Sequence, residues 1–133
     1  MADYFAHWLR IGKSTDAANL PRIYYVNWFR KDAEGRFLWP GYGENSRVLA
    51  WIVDRTTGKA PATPTPIGNV PTPGTLDAGG LGVSEGAMAE LLGVDDDEWR
   101  DEVPLIREHF ARFGDRLPEE LTRKLDDLER RLG

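Results

Sequence analysis

Seven of the fourteen aromatic residues fall between positions 24 and 42: Tyr24, Tyr25, Trp28, Phe29, Phe37, Trp39 and Tyr42. Strand alternation sends some of these rings into a core, but both faces of a hairpin cannot be buried without a partner layer. The remaining rings are then free to face a ligand. A flat heteroaromatic base is the ligand such a surface serves best, because stacking needs only π faces. Choosing among bases also requires a polar edge reader. Asn45 offers a donor and an acceptor, and it follows a loop whose Gly41 and Gly43 let backbone pass close to a ligand.

Plainer readings exist for the same residues. Trp and Tyr at strand spacing are more often core than ligand surface. Asn45 is equally well placed to N-cap a helix marked by Val48, Leu49, Ile52 and Val53. Trp28, Trp39 and Pro40 also suggest a small proline-recognition module, although eleven residues separate the two indoles, which is short for that use.

The elements that must position these residues follow from periodicity and breakers. Tyr4, Phe5, Trp8 and Leu9 repeat at helical spacing and predict a short amphipathic opening helix. Residues 22 to 29 and 36 to 39 read as strands joined by a turn at Asp32, Ala33, Glu34 and Gly35. A helix is expected from about Asn45 to Asp54. Residues 59 to 74 hold five of the nine prolines without periodicity and read as extended coil, either a surface strap or a linker. Beyond it the chain turns helical. Ser84 suits a cap for a helix through Leu92, and the acids from Asp95 to Glu98 suit the start of the next. Trp99, Val103, Ile106, Phe110 and Phe113 form one apolar stripe, with a kink or restart expected at Pro104; Leu121, Leu125, Leu128 and Leu132 form another. The two stripes suit an antiparallel helical pair. The organisation expected is 1–58 as the aromatic segment, 59–76 as the strap and 77–133 as a helical region, packed as one unit.

Other chemistries find little support. Gly12-Lys13-Ser14-Thr15 imitates the end of a phosphate loop, but that pattern needs glycine where His7 stands. The glycines at 79, 80 and 82 lack a dinucleotide fingerprint's spacing. His7 and His109 are far apart, no Ser, His and Asp grouping appears, and a lone acidic run is no oxygen cage for a metal. Zero cysteines excludes disulfides and thiolate sites. No apolar run approaches membrane length and no basic leader precedes Asp3, which gives a cytoplasmic expectation and none of a membrane. Residues 1 to 76 carry nine Lys and Arg against six Asp and Glu, while 77 to 133 carry eight against sixteen. The aromatic segment therefore tolerates an anionic nucleotide, whereas the absence of a basic stripe argues against DNA.

The string VNWFRKDAEGRFLWPGYGENSRVL, residues 26 to 49, closely resembles the C-terminal nucleotide-binding segment of the GTP-dependent phosphoenolpyruvate carboxykinases. The likeness extends to Asp3-Tyr4, to His7-Trp8-Leu9, to Thr65-Pro66-Ile67-Gly68 with Pro71, and to the acidic helical tail. In that family guanine lies between two rings whose places match Phe29 and Tyr42. Phe37 matches a third ring, with Trp28 alongside, and Asn45 matches the residue contacting the base edge. Tyr42 stands where Phe is usual, so its hydroxyl needs water or a partner.

What the resemblance implies is a C-terminal part of a longer enzyme. That enzyme interconverts oxaloacetate and GTP with phosphoenolpyruvate, GDP and carbon dioxide, assisted by manganese or magnesium. The family's phosphate loop, its metal-binding Lys, His and Asp, its substrate arginines and its lid have no counterpart here. Catalysis by this chain alone is not expected, and the partners implied are guanine nucleotide and the rest of a monomeric enzyme. The fold class expected is α+β, a short β-hairpin with about five helices, part of a larger mixed α/β enzyme. The alternative is a free-standing helical interaction module whose aromatics form its core or a peptide groove. In that case Tyr42 and Asn45 should be buried or engaged in capping; as a base pocket they should be accessible and face Phe29.

Overall fold

The structure, a computed structural model, describes residues 1 to 133. It holds five α-helices and one two-stranded antiparallel sheet, a mixed α+β arrangement. The helices are α1 (Ala2–Lys13), α2 (Asn45–Thr56), α3 (Glu85–Leu92), α4 (Asp96–Ala111) and α5 (Glu119–Leu132), and the strands are β1 (Ala62–Thr65) and β2 (Gly68–Pro71). The chain divides into two compact units, Met1–Pro21 with Asp95–Gly133, and Arg22–Val94. This division differs from the three-part reading, because α1 groups with the last two helices and the proline-rich stretch stays with the aromatic segment. No helix is long and apolar enough to cross a membrane.

The first unit is built on the seam between α4 and α5. Val103, Leu125 and Leu132 are buried there, with Trp99, Ile106, Phe110 and Leu128 packed against them, as the two apolar stripes require. Arg107 reaches Asp126 at 3.0 Å and Glu129 at 2.7 Å, and Arg100 Nε donates to the Leu132 carbonyl at 2.9 Å, which makes the pair antiparallel. Asp95 caps α4 by accepting from the amides of Asp97 and Glu98. α4 does not restart at Pro104 but continues through it. A proline removes one N–H from the ladder, and the seam holds the turns on either side. Lys13, in the last turn of α1, pairs with Glu120.

In the second unit, the strands expected at 22–29 and 36–39 do not form. Only an isolated antiparallel bridge joins Lys31 and Phe37. The strand pair lies instead in the proline-rich stretch read as coil, with Ala62 opposite Pro71 and Thr65 opposite Gly68. A two-stranded ribbon has only edge strands, where a proline's missing N–H need not break a ladder. The two-residue connection, Pro66-Ile67, ends at Gly68 with φ of 138°, a value open to glycine. Thr65 Oγ1 donates to the Gly68 carbonyl at 2.6 Å and closes the turn.

α2 buries Trp51, whose indole N–H donates to Thr75 Oγ1 at 3.1 Å and whose ring meets Tyr24 edge-on. Leu49 and Val53, expected on the apolar stripe, are exposed. Ser84 caps α3 through the Ala87 amide, and Arg30 Nη1 donates to the Gly93 carbonyl at 3.0 Å just past that helix.

Candidate functional site

The candidate residues sit on the turn from Asn27 to Phe37 and on the connection into α2. Asn27 Oδ1 accepts from the Phe29 amide at 3.0 Å, an Asx turn that sets the backbone at that ring. The Leu38 amide donates to the Arg30 carbonyl at 3.0 Å, and the Asp32 amide to the Arg36 carbonyl at 2.9 Å. The tip is stitched by one carboxylate. Asp32 Oδ1 accepts from the amides of Arg36 (2.8 Å) and Glu34 (3.0 Å), and its Oδ2 from Arg36 Nε at 2.8 Å. The Arg36 amide, and with it the guanidinium, hold Asp32 below the usual carboxylate range.

This closed turn brings Phe29 and Phe37 together, with ring centroids 6.2 Å apart and planes at 63°. Both rings are open to solvent, 73% and 58% exposed. Lys31 Nζ lies 4.9 Å from the centre of Phe37, a cation over a π face. Trp28 is half-buried beside Phe29 in sequence. Tyr42 is 95% exposed, so its hydroxyl is in reach of water, and no ring pairs with it. It follows Gly41, whose φ of 109° and ψ of −154° only glycine tolerates, and it opens the short 3-10 turn Tyr42–Glu44. Of the expected pocket, then, Phe29 and Phe37 form a ring pair, while Tyr42 projects unpaired from a separate loop.

Asn45 is half-buried at the first position of α2. The residue at the cap is Glu44, and no side chain caps this helix, so Asn45 does not take the capping role. Its Oδ1 instead accepts from Trp39 Nε1 at 2.9 Å. Trp39 is 4% exposed, the one buried ring of the aromatic run. Sequence reasoning grouped Trp39 with the other rings and missed this contact, which no residue type or spacing marked. Arg47, one turn into α2, pairs with Glu44 at 2.7 Å and with Asp77 at 2.8 Å, which raises its already high pKa further, chiefly through the Glu44 hydrogen bond.

Three other features fall away. Gly12 and Lys13 end α1, and the Ser14 hydroxyl donates to the Ile11 carbonyl at 2.8 Å, so carbonyls rather than amides gather there. Of the acidic run, the Asp95 carboxylate is committed to capping α4. No three His, Asp or Glu side chains converge to hold a metal ion, so the divalent cation implied by the resemblance finds no donor set in this chain.

The site thus presents an exposed Phe29–Phe37 ring pair, an exposed Tyr42 on a second loop and an Asn45 held by Trp39. Residues 1–131 match the model described as the phosphoenolpyruvate carboxykinase C-terminal P-loop domain. The chain is 56% identical over 133 residues to the phosphoenolpyruvate carboxykinase [GTP] of Treponema pallidum (strain Nichols), and 53% identical over 133 residues to that of Neocallimastix frontalis. It is 49% identical over 131 residues to the same enzyme of Renibacterium salmoninarum. The chain belongs to the GTP-dependent phosphoenolpyruvate carboxykinase family. Each alignment takes in 98 to 99% of this chain and 22% of the relative, so the chain spans about a fifth of the length of the curated relatives it matches.

Proposed function

We propose that this chain supplies the guanine-binding face of a GTP-dependent phosphoenolpyruvate carboxykinase, with Phe29 and Tyr42 as the two stacking rings. Phe37 and Trp28 wall the base, and Asn45 reads its edge. The observation that carries the reading is the exposure of Phe29, Phe37 and Tyr42. Large rings are ordinarily drawn inside, and three exposed within fourteen residues of one another are poorly explained as core. The same observation disfavours an interaction module whose aromatics form its core, and the titration below separates the base pocket from a module whose aromatics form a peptide groove.

In the longer enzyme, oxaloacetate loses carbon dioxide and the resulting enolate oxygen takes the γ-phosphoryl of GTP, giving phosphoenolpyruvate and GDP. The part played by this chain is to hold the base while the phosphates and the divalent cation are held by the remainder of the enzyme. That remainder is its main partner; the setting is cytoplasmic and the enzyme monomeric. By itself the chain is inactive.

Affinity in isolation is small. Stacking contributes about 1–3 kcal/mol per ring and an Asn hydrogen bond about 1 kcal/mol. Association costs at least about 4 kcal/mol, leaving a Kd near millimolar or weaker, about −4 kcal/mol. The test is a titration with GDP and ADP followed by tryptophan emission and amide NMR shifts. Saturable shifts confined to Trp28, Phe29, Phe37, Tyr42 and Asn45, stronger for GDP, are expected. Equal responses to both nucleotides, or shifts spread elsewhere, overturn the reading.

A further inference from the structure

Trp39 belongs to the aromatic run, yet it is the one ring there that is withdrawn from solvent. Its indole N–H can only donate, so the Asn45 atom 2.9 Å away must be the carbonyl oxygen and not the amide nitrogen. An asparagine amide is otherwise free to turn over, exchanging its donor and acceptor faces. Here one face is fixed by a buried partner. The Asn45 NH2, which can only donate, is then the end of the amide that the indole does not hold.

That polarity distinguishes purines at one position. Guanine and hypoxanthine carry an oxygen at C6, an acceptor that an NH2 group satisfies. Adenine carries an amino group at C6, a donor that meets the NH2 head-on and leaves both unpaired. Resting on the base-pocket reading above, we infer that Trp39 is a positioning residue that locks the Asn45 amide in its donating orientation, so that the site accepts 6-oxopurines and rejects 6-aminopurines. A helix-start asparagine without the indole would present either face and discriminate poorly. Stacking cannot supply the choice, since it serves any base.

Three nucleotides and two variants test this, with affinities measured by NMR titration of the whole chain. For the wild type, GDP and inosine diphosphate should bind within about threefold of each other and about tenfold more tightly than ADP, as one matched against one clashing hydrogen bond implies. Trp39→Phe keeps an aromatic ring in the buried site but removes the N–H. Its GDP to ADP ratio should fall to about twofold or less, whereas a merely structural tryptophan would weaken both nucleotides alike and leave the ratio intact. Asn45→Asp retains an acceptor for the indole and loses the NH2. It should lose the preference for GDP, which places the edge reader at Asn45; if Trp39→Phe does not fold, the Asn45 NH2 and Trp39 indole peaks of the wild type carry the test. In the wild-type spectrum, GDP should move the Asn45 side-chain NH2 peaks and leave the Trp39 indole N–H peak in place.

A wild type that binds all three nucleotides equally overturns the base pocket and this inference together. A wild-type preference that survives unchanged in Trp39→Phe, or an indole N–H peak that moves with GDP while the Asn45 NH2 peaks stay, overturns the positioning role alone; a preference that survives in Asn45→Asp overturns Asn45 as edge reader and the positioning role with it.

Discussion

Replacing Tyr42 by alanine separates binding from folding more cleanly than any other change in this chain. The side chain is 95% exposed and no ring contacts it. Its backbone carbonyl, which accepts from the Asn45 amide at the end of the 3-10 turn, is untouched by the substitution. Thermal and denaturant stability should therefore stay within about 0.5 kcal/mol of the wild type, the range of surface changes away from special features. Binding should respond differently. Removing one stacking face forfeits about 1–3 kcal/mol, which at 1.4 kcal/mol per decade is a loss of about 5- to 150-fold. From a millimolar starting point, GDP shifts that saturate in the wild type should stay linear throughout the accessible range in Tyr42→Ala. The assay is a paired urea melt and GDP titration of both proteins. Unchanged GDP affinity would refute Tyr42 as a stacking face, and a stability loss above about 1 kcal/mol would refute the claim that its ring is held by nothing in the fold.

Three further outcomes follow from the geometry. Leu125→Ala, at the buried centre of the α4–α5 seam, should destabilise the chain by about 2–5 kcal/mol in a urea melt. Gly41→Ala meets no neighbouring atom but forces a side chain onto φ of 109°, so about 1–3 kcal/mol of strain should appear in the melt, with weakened GDP shifts as the loop gives way. Asp32 is held below the usual carboxylate range by the amide of Arg36 first, then its guanidinium. A lowered folded-state value gives stability that is present above the unfolded value, about 3.9, and lost as pH falls through the folded one. Amide exchange at Glu34 and Arg36 should accelerate in that acid window, and Asp32→Asn should flatten the dependence.

The helical half of the fold was legible because its signals are local. Ser84 caps α3 as expected, Asp95 proves to be the residue that caps α4, and the apolar stripes run through the α4–α5 seam. Pro104 misled because a missing N–H is a local deficit, while the helix is held by packing on a neighbour. The strands were misplaced for the opposite reason. Residues 22 to 29 have strand-like composition but no neighbouring segment to pair with, whereas β1 and β2 hide in a proline-rich run whose two-residue turn lets them pair. At the candidate site, residue types and turn chemistry marked the exposed rings and the Asp32 turn. The Trp39 to Asn45 contact was not legible, since which ring of an aromatic run goes inside depends on what covers it, and covering is a property of the folded chain.

The central claim is that a guanine base rests on these rings, and intermolecular nuclear Overhauser effects measure that directly. In an isotope-filtered spectrum of the labelled chain with saturating GDP, the guanine H8 and ribose H1′ protons should show cross-peaks to the ring protons of Phe29, Phe37 and Tyr42. Cross-peaks to other residues, or none while the shifts saturate, would contradict the account.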